Sequence, residues 1–184
     1  LNNTADKKEI DLAIDGIELS GWVHNIYDNQ LIRYRPAKLK ARDRLRLWLE
    51  HLALCAQYPD TPASAHFAKD KQLSIQPTES MGDAKEILSA LISLYVEGHE
   101  APLQFYPETS WEFQQYGSDK ALKKWEKSKY RNKAGNMVEK DGEGDDPFIA
   151  LALRGQDALD DRFTELAATI YGPANLLMEE SGYE

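Results

Sequence analysis

Hydrophobic and polar positions alternate with a period of two in EIDLAID (9–15) and again through IELSGWVHNIY (17–27), and LIRYR (31–35) follows the triplet Asp28-Asn29-Gln30. Successive side chains of a strand point to opposite faces, so the alternation predicts strands. Gly16 and the 28–30 triplet are turn formers that join them into a three-stranded meander over residues 9–35. Pro36 has no amide proton for a ladder and a φ suited to a first helical turn, so it is expected to end the strand and open a helix. From Ala37 to Gln57 the period lengthens to that of a helix: Ala41, Leu45, Trp48, Leu49, Leu52, Cys55 and Ala56 return at spacings of three and four.

Residues 58–64 (YPDTPAS) read as a loop, and 66–76 as a short hairpin with Lys69-Asp70-Lys71 at its turn. Pro77-Thr78-Glu79-Ser80 opens a second helix carrying Ile87, Leu88, Leu91, Ile92, Leu94, Tyr95 and Val96, with Gly98 as its stop. APLQFYPETS (101–110) is expected to be a short buried strand ending at Pro107. A polar helix follows from Trp111 to about Lys133, then the acidic loop 139–146, a short helix near 147–154 and an amphipathic helix from about Leu159 to Tyr171. The last ten residues, NLLMEESGYE, show no clear period. This order predicts an α/β (α+β) class with a central mixed sheet flanked by helices. The length fits one domain over 1–184, with about 155–184 as a C-terminal helical tail. The start at Leu1 reads as a fragment of a longer chain.

Composition narrows the function classes. With 42% hydrophobic and 29% charged residues the chain is neither disordered nor low-complexity. The single Cys55 excludes an internal disulfide, and no apolar run approaches the ~20 residues of a membrane span, so a cytoplasmic protein without a membrane is expected. A net charge of −9 argues against a general nucleic-acid binder, yet the charge is uneven. Residues 33–46 hold Arg33, Arg35, Lys38, Lys40, Arg42, Arg44 and Arg46 against Asp43 alone, and residues 120–133 hold seven basic residues against Glu126 alone. On a helix Lys38, Arg42 and Arg46 form an i,i+4 stripe, with Lys40 and Arg44 on the other flank. Such blocks suit a polyanion, an acidic partner surface, or simply solvent.

No metal or cofactor is expected. Asp141, Glu143 and Asp145 alternate, but a calcium loop counted from Asp141 needs Gly and Glu where Asp146 and Ala152 stand, so the loop is expected to cap the helix at Pro147. His24, His51, His66 and His99 show no ligand spacing with one another or with Cys55. No Gly-rich phosphate loop, GxSxG elbow or HExxH is present. Trp22, Tyr34 and Trp48 are candidates for stacking on bases, but aromatics on a strand or an apolar helix face are expected in the core.

Residues 19–56 resemble the core of the PD-(D/E)xK nuclease fold in its RecB-type form, in which Gly-x-x-Asp and Asp-x-Lys on adjacent strands gather two carboxylates and a lysine around a metal. Gly21 matches the glycine, but His24 stands for the first aspartate and Arg33-Tyr34-Arg35 for Asp-x-Lys. The helix glutamine falls about at Trp48 and the tyrosine about at Glu50. An arginine in place of a ligating carboxylate repels a divalent cation, so His24, Arg33 and Arg35 read as degenerate positions and no catalytic residue is assigned. A register shifted by one or two residues would bring Asp28 into that place. Through GIELSGWV, LIRYRPAKL, LWLEHLALCA, EGHEAPLQFYPETSW and EGDD, the chain from about residue 10 to 150 resembles the C-terminal-domain family of RecC, the gamma subunit of exodeoxyribonuclease V (RecBCD). The resemblance implies an inactive nuclease-like domain that contacts DNA at a duplex end or fork and docks to RecB and RecD in double-strand break repair. Arg33, Arg35, Lys38, Arg42 and Arg46 are the expected DNA contacts, and the 28–30 turn and 69–71 tip are candidate strand separators. An active metal-dependent nuclease and a protein-only docking module are the alternatives.

Overall fold

Strands β1 (Asp6–Ile14), β2 (Ile17–Tyr27) and β3 (Gln30–Tyr34) form the antiparallel meander that the alternation predicts. Both connections are two-residue turns in which each residue has positive φ: Asp15 at 51° and Gly16 at 78°, then Asp28 at 47° and Asn29 at 66°. This conformation matches the twist of paired strands, and Asp, Asn and Gly adopt it at least cost. Asn25, at φ 64°, is an extra residue in β2, because Asp6 pairs with Ile26 whereas Lys7 already pairs with His24. The bulge resets the alternation so that Val23 and Ile26 both reach the core.

The structure is a computed structural model that describes residues 5–58, 60, 63–76 and 81–183. The chain divides into two units, residues 1–95 with 173–184, and residues 96–172. The first unit holds a six-stranded sheet in which β1, β2 and β3 are followed in order by β4 (Ser64–Phe67), β5 (Lys71–Ile75) and β8 (Met178–Gly182). Strands β4 and β5 are the expected hairpin. The β3–β4 pair is parallel and the other pairs are antiparallel, so the sheet is mixed, as expected.

Helix α1 (Ala41–Gln57) begins five residues after Pro36, not at it. Residues 37–39 are held by the β4–β5 turn instead: Lys69 N donates to Ala37 O at 2.9 Å, and Leu39 N to Asp70 Oδ1 at 2.9 Å. Lys38 is therefore off the helix, and the expected stripe shrinks to Arg42 and Arg46. At the cap, Lys40 N donates to Asp43 Oδ2 at 3.0 Å. The buried face carries Leu47, Trp48, His51, Leu52 and Leu54 through Ala56, whereas Leu49, expected in the apolar stripe, is exposed. Arg44, expected on a flank, is buried, and its guanidinium reaches Glu180.

Glu180 lies on β8 (Met178–Gly182), which pairs antiparallel with β5 inside the stretch read as a helical tail. At the opposite edge, two side chains at the end of α1 cover β1. The Tyr58 hydroxyl donates to Glu9 O at 2.7 Å, and Asp11 N donates to Gln57 Oε1 at 3.3 Å. Helix α2 (Met81–Glu100) runs two residues past the expected stop at Gly98, while its expected opening at Pro77–Ser80 lies outside the described residues.

In the second unit the strand expected over 101–110 is absent. Pro107 is the first residue of α3 (Pro107–Tyr116), where a missing amide proton costs nothing, so it marks a helix start and not a strand end. The single polar helix expected from Trp111 to Lys133 is instead the end of α3, then α4 (Ser118–Trp125), then a hairpin of β6 (Ser128–Arg131) and β7 (Met137–Lys140). Gly117, at φ 81°, turns the chain between the two helices. Helix α5 (Pro147–Leu153) matches expectation, and α6 (Asp161–Leu177) extends beyond Tyr171 with Pro173 inside it. Tyr106 and Phe163 form a small core with Phe113 and Trp125 around it. Among the described residues no helix is long and apolar enough to cross a membrane.

Candidate nucleic-acid interface

Arg33 and Arg35 follow Leu31 at alternate positions, so all three side chains face α1. Arg33 makes a two-pronged pair with Glu50, Nε to Oε2 and Nη2 to Oε1, both at 2.7 Å. Arg46 Nε adds a bond to the same Glu50 Oε1 at 3.0 Å, and Arg35 Nη1 bonds Asp43 Oδ2 at 2.7 Å. A planar guanidinium matches a carboxylate fork, so these pairs fix the strand to the helix as well as neutralising charge. His24 is exposed on β2 next to the buried Val23, on the face away from α1. The two arginines are thus brought together, and His24 is not.

Beneath the pairs lie two histidines whose role sequence reasoning missed. His51 Nδ1 lies 2.8 Å from Ser64 Oγ, and its Nε2 lies 3.4 Å from Cys55 Sγ. Burial pushes the His51 pKa down to about 4 against a bond to the Gln76 backbone. His66 is also buried, its Nε2 without a partner among the described residues. Its pKa is lowered chiefly by burial, then by the charges of Arg35, Arg33 and Arg46, with Asp43 opposing. Both rings are therefore neutral at pH 7, which suits a site already crowded with guanidinium groups.

Lys38, Arg42 and Arg46 are exposed. Trp48 is fully buried, as expected, and stacks on His51 with ring centroids 6.1 Å apart. Trp22 and Tyr34 depart from the expected core placement. Trp22 is half exposed with Lys7 Nζ 4.1 Å over its ring, and Tyr34 is 75% exposed beside Phe67 on β4.

The acidic loop does more than cap α5. Asp146 accepts from Phe148 N and Ile149 N as expected, while Glu143 caps α3 by accepting from Glu108 N at 3.1 Å and Thr109 N at 2.7 Å. Asp145 accepts from Gly142 N, and Asp141 pairs with Lys127. Its glycines are packed on Trp125: a Cβ at Gly142 would come 2.1 Å from Trp125 O, and one at Gly144 2.4 Å from the indole. Among the described residues no group of three or more His, Cys, Asp or Glu could hold a metal ion.

Residues 1–118 match the family described as the RecC C-terminal domain. The chain belongs to that family. It is 34% identical over 148 residues to the RecBCD enzyme subunit RecC of Escherichia coli (strain K12), covering 75% of this chain and 13% of that protein. It is 29% identical over 97 residues to the subunit of the same name from Buchnera aphidicola subsp. Schizaphis graminum (strain Sg), covering 53% of this chain and 9% of that protein. The chain thus spans a small part of the length of the curated relatives it matches. The RecC C-terminal domain match takes in the meander, α1, the β4–β5 hairpin and all five basic residues singled out above, and ends before the β6–β7 hairpin.

Proposed function

We propose that this chain is a catalytically silent, nuclease-like domain of an exodeoxyribonuclease V gamma subunit, part of a longer polypeptide in the cytoplasm. In this role it guides DNA at a duplex end or fork and docks to the RecB and RecD subunits during double-strand break repair and recombination. One observation carries the reading. Arg33, which on the resemblance stands where a PD-(D/E)xK nuclease carries a metal-binding carboxylate, is locked two-pronged onto Glu50. A guanidinium there excludes a divalent cation, and its own charge is taken up by Glu50. Arg33 and Arg35 brace the scaffold, while Lys38, Arg42 and Arg46 are left exposed at its rim for the DNA backbone.

The test is fluorescence anisotropy of labelled forked and blunt duplexes titrated with the chain at about 50 and 200 mM salt, between which phosphate-driven binding weakens steeply. Binding that falls with salt and drops in Arg42→Ala/Arg46→Ala supports the reading. No binding at the lower salt would replace it with protein docking alone, and Mg²⁺-dependent cleavage lost on mutating a strand carboxylate would replace it with an active nuclease.

A further inference from the structure

Tyr34 and Phe67 are directly opposite one another in the parallel β3–β4 ladder. Arg33 on β3, and Ser64 and His66 on β4, face α1, so strand alternation puts Tyr34 and Phe67 together on the other face of the sheet. They are 75% and 37% exposed. Neighbouring strands lie about 4.8 Å apart, so the two rings leave the same face side by side at the C-terminal ends of both strands. Pairing continues past the strands: Arg35 N donates to Phe67 O at 2.8 Å and Lys69 N to Ala37 O at 2.9 Å. This brackets the rings with the segment bearing Lys38 and the turn bearing Lys69, both exposed. The one carboxylate of that turn, Asp70, is engaged by Leu39 N.

Each ring leaves apolar surface in water, with the exposed Lys38 and Lys69 on the segments that flank the pair. Aromatic faces flanked by cations suit unpaired bases joined by phosphates, whereas a duplex keeps its base faces stacked inside. We propose that the Tyr34–Phe67 pair is a stacking platform for the bases of single-stranded nucleic acid, with Lys38 and Lys69 on its phosphates. The inference rests on the DNA-guiding reading above and narrows it to the unpaired strand.

The experiment titrates the chain with a single-stranded oligonucleotide carrying 2-aminopurine, following anisotropy and 2-aminopurine fluorescence together. Tyr34→Ala and Phe67→Ala are expected to weaken binding about tenfold each and to remove the fluorescence change. Tyr34→Phe is expected to keep both, since the ring and not the hydroxyl does the stacking. Lys38→Ala and Lys69→Ala each lower the salt slope by about one while leaving the fluorescence change in place. Circular dichroism of each variant checks that the fold is retained. Wild-type binding that is untouched by Tyr34→Ala and Phe67→Ala overturns the platform and leaves DNA guidance standing. Failure of the wild-type chain to bind any DNA at 50 mM salt overturns both.

Discussion

Two blocks of the chain, 33–46 and 120–133, carry the same charge and do different things with it. In the first, Arg33, Arg35 and Arg44 turn inward to Glu50, Asp43 and Glu180, each with a largely buried side chain. In the second, Lys124, Lys127 and Lys129 meet Glu112, Asp141 and Glu139 respectively, around a helix and a hairpin open to water. Charge density alone therefore says little about a basic block. What distinguishes them is residue type and position. The inward groups of the first block are arginines beside strands and a buried helix face, where a planar donor fork finds a fixed carboxylate. The second is mostly lysine on short exposed elements, where solvent screens each pair.

The contrast is open to direct attack, beginning with its deepest pair. Arg44→Ala leaves Glu180 with Lys71 as its remaining partner and is expected to lower unfolding free energy by about 3 kcal/mol in urea titrations, with faster amide exchange in β8. A silent Arg44→Ala would erase the distinction between the blocks. The neutral interior beneath the first block gives the next effect. His51 stays neutral in the folded chain, whereas the unfolded ring takes up a proton near pH 6.5. Stability should hold above that pH and fall by about 3 kcal/mol as pH drops from 6.5 toward about 4. His51→Gln should flatten that acid limb, and His66, shifted in the same direction, should leave a smaller residue of it. Arg33→Ala is expected to cost about 2 kcal/mol, because Arg46 remains on Glu50 as a partial substitute. The smallest effect is in the second block, where Lys129→Ala should leave the urea midpoint where it is.

The meander, the second half of α1 and the β4–β5 hairpin were legible in the sequence because local turn chemistry and periodicity agreed with the tertiary fold there. The start of α1 was not. Pro36 fits a first helical turn, but the hydrogen bonds from Lys69 and to Asp70 that hold residues 37–39 off the helix come from some thirty residues away. Pro107 looks from the sequence like the close of a strand because LQFY before it is apolar and aromatic, although those residues are not a strand and the proline starts a helix. Strand β8 was invisible for a similar reason: MEESG has little strand character of its own, and its place follows from β5, Arg44 and Lys71.

At the candidate site, the residue types were legible and their partners were not. An arginine at 33 announces the lost carboxylate, but that it would grip Glu50 depends on the turn of α1 that faces β3. The exposure of Tyr34 went against the usual expectation for a strand aromatic. Its partner Phe67, thirty-three residues on, becomes visible only once the parallel register is known.

The caps that Gln57 and Tyr58 place on β1 also bear on how the chain keeps to itself. Glu9 O and Asp11 N point outward from an edge strand of nine residues, long enough to recruit a strand from another molecule. By occupying these two groups the end of α1 removes the first rungs on which such a ladder would start. Tyr58→Phe would leave the core untouched and expose that edge, so its signature should be concentration-dependent aggregation on storage with an unchanged melting transition, visible by light scattering before any loss of fold.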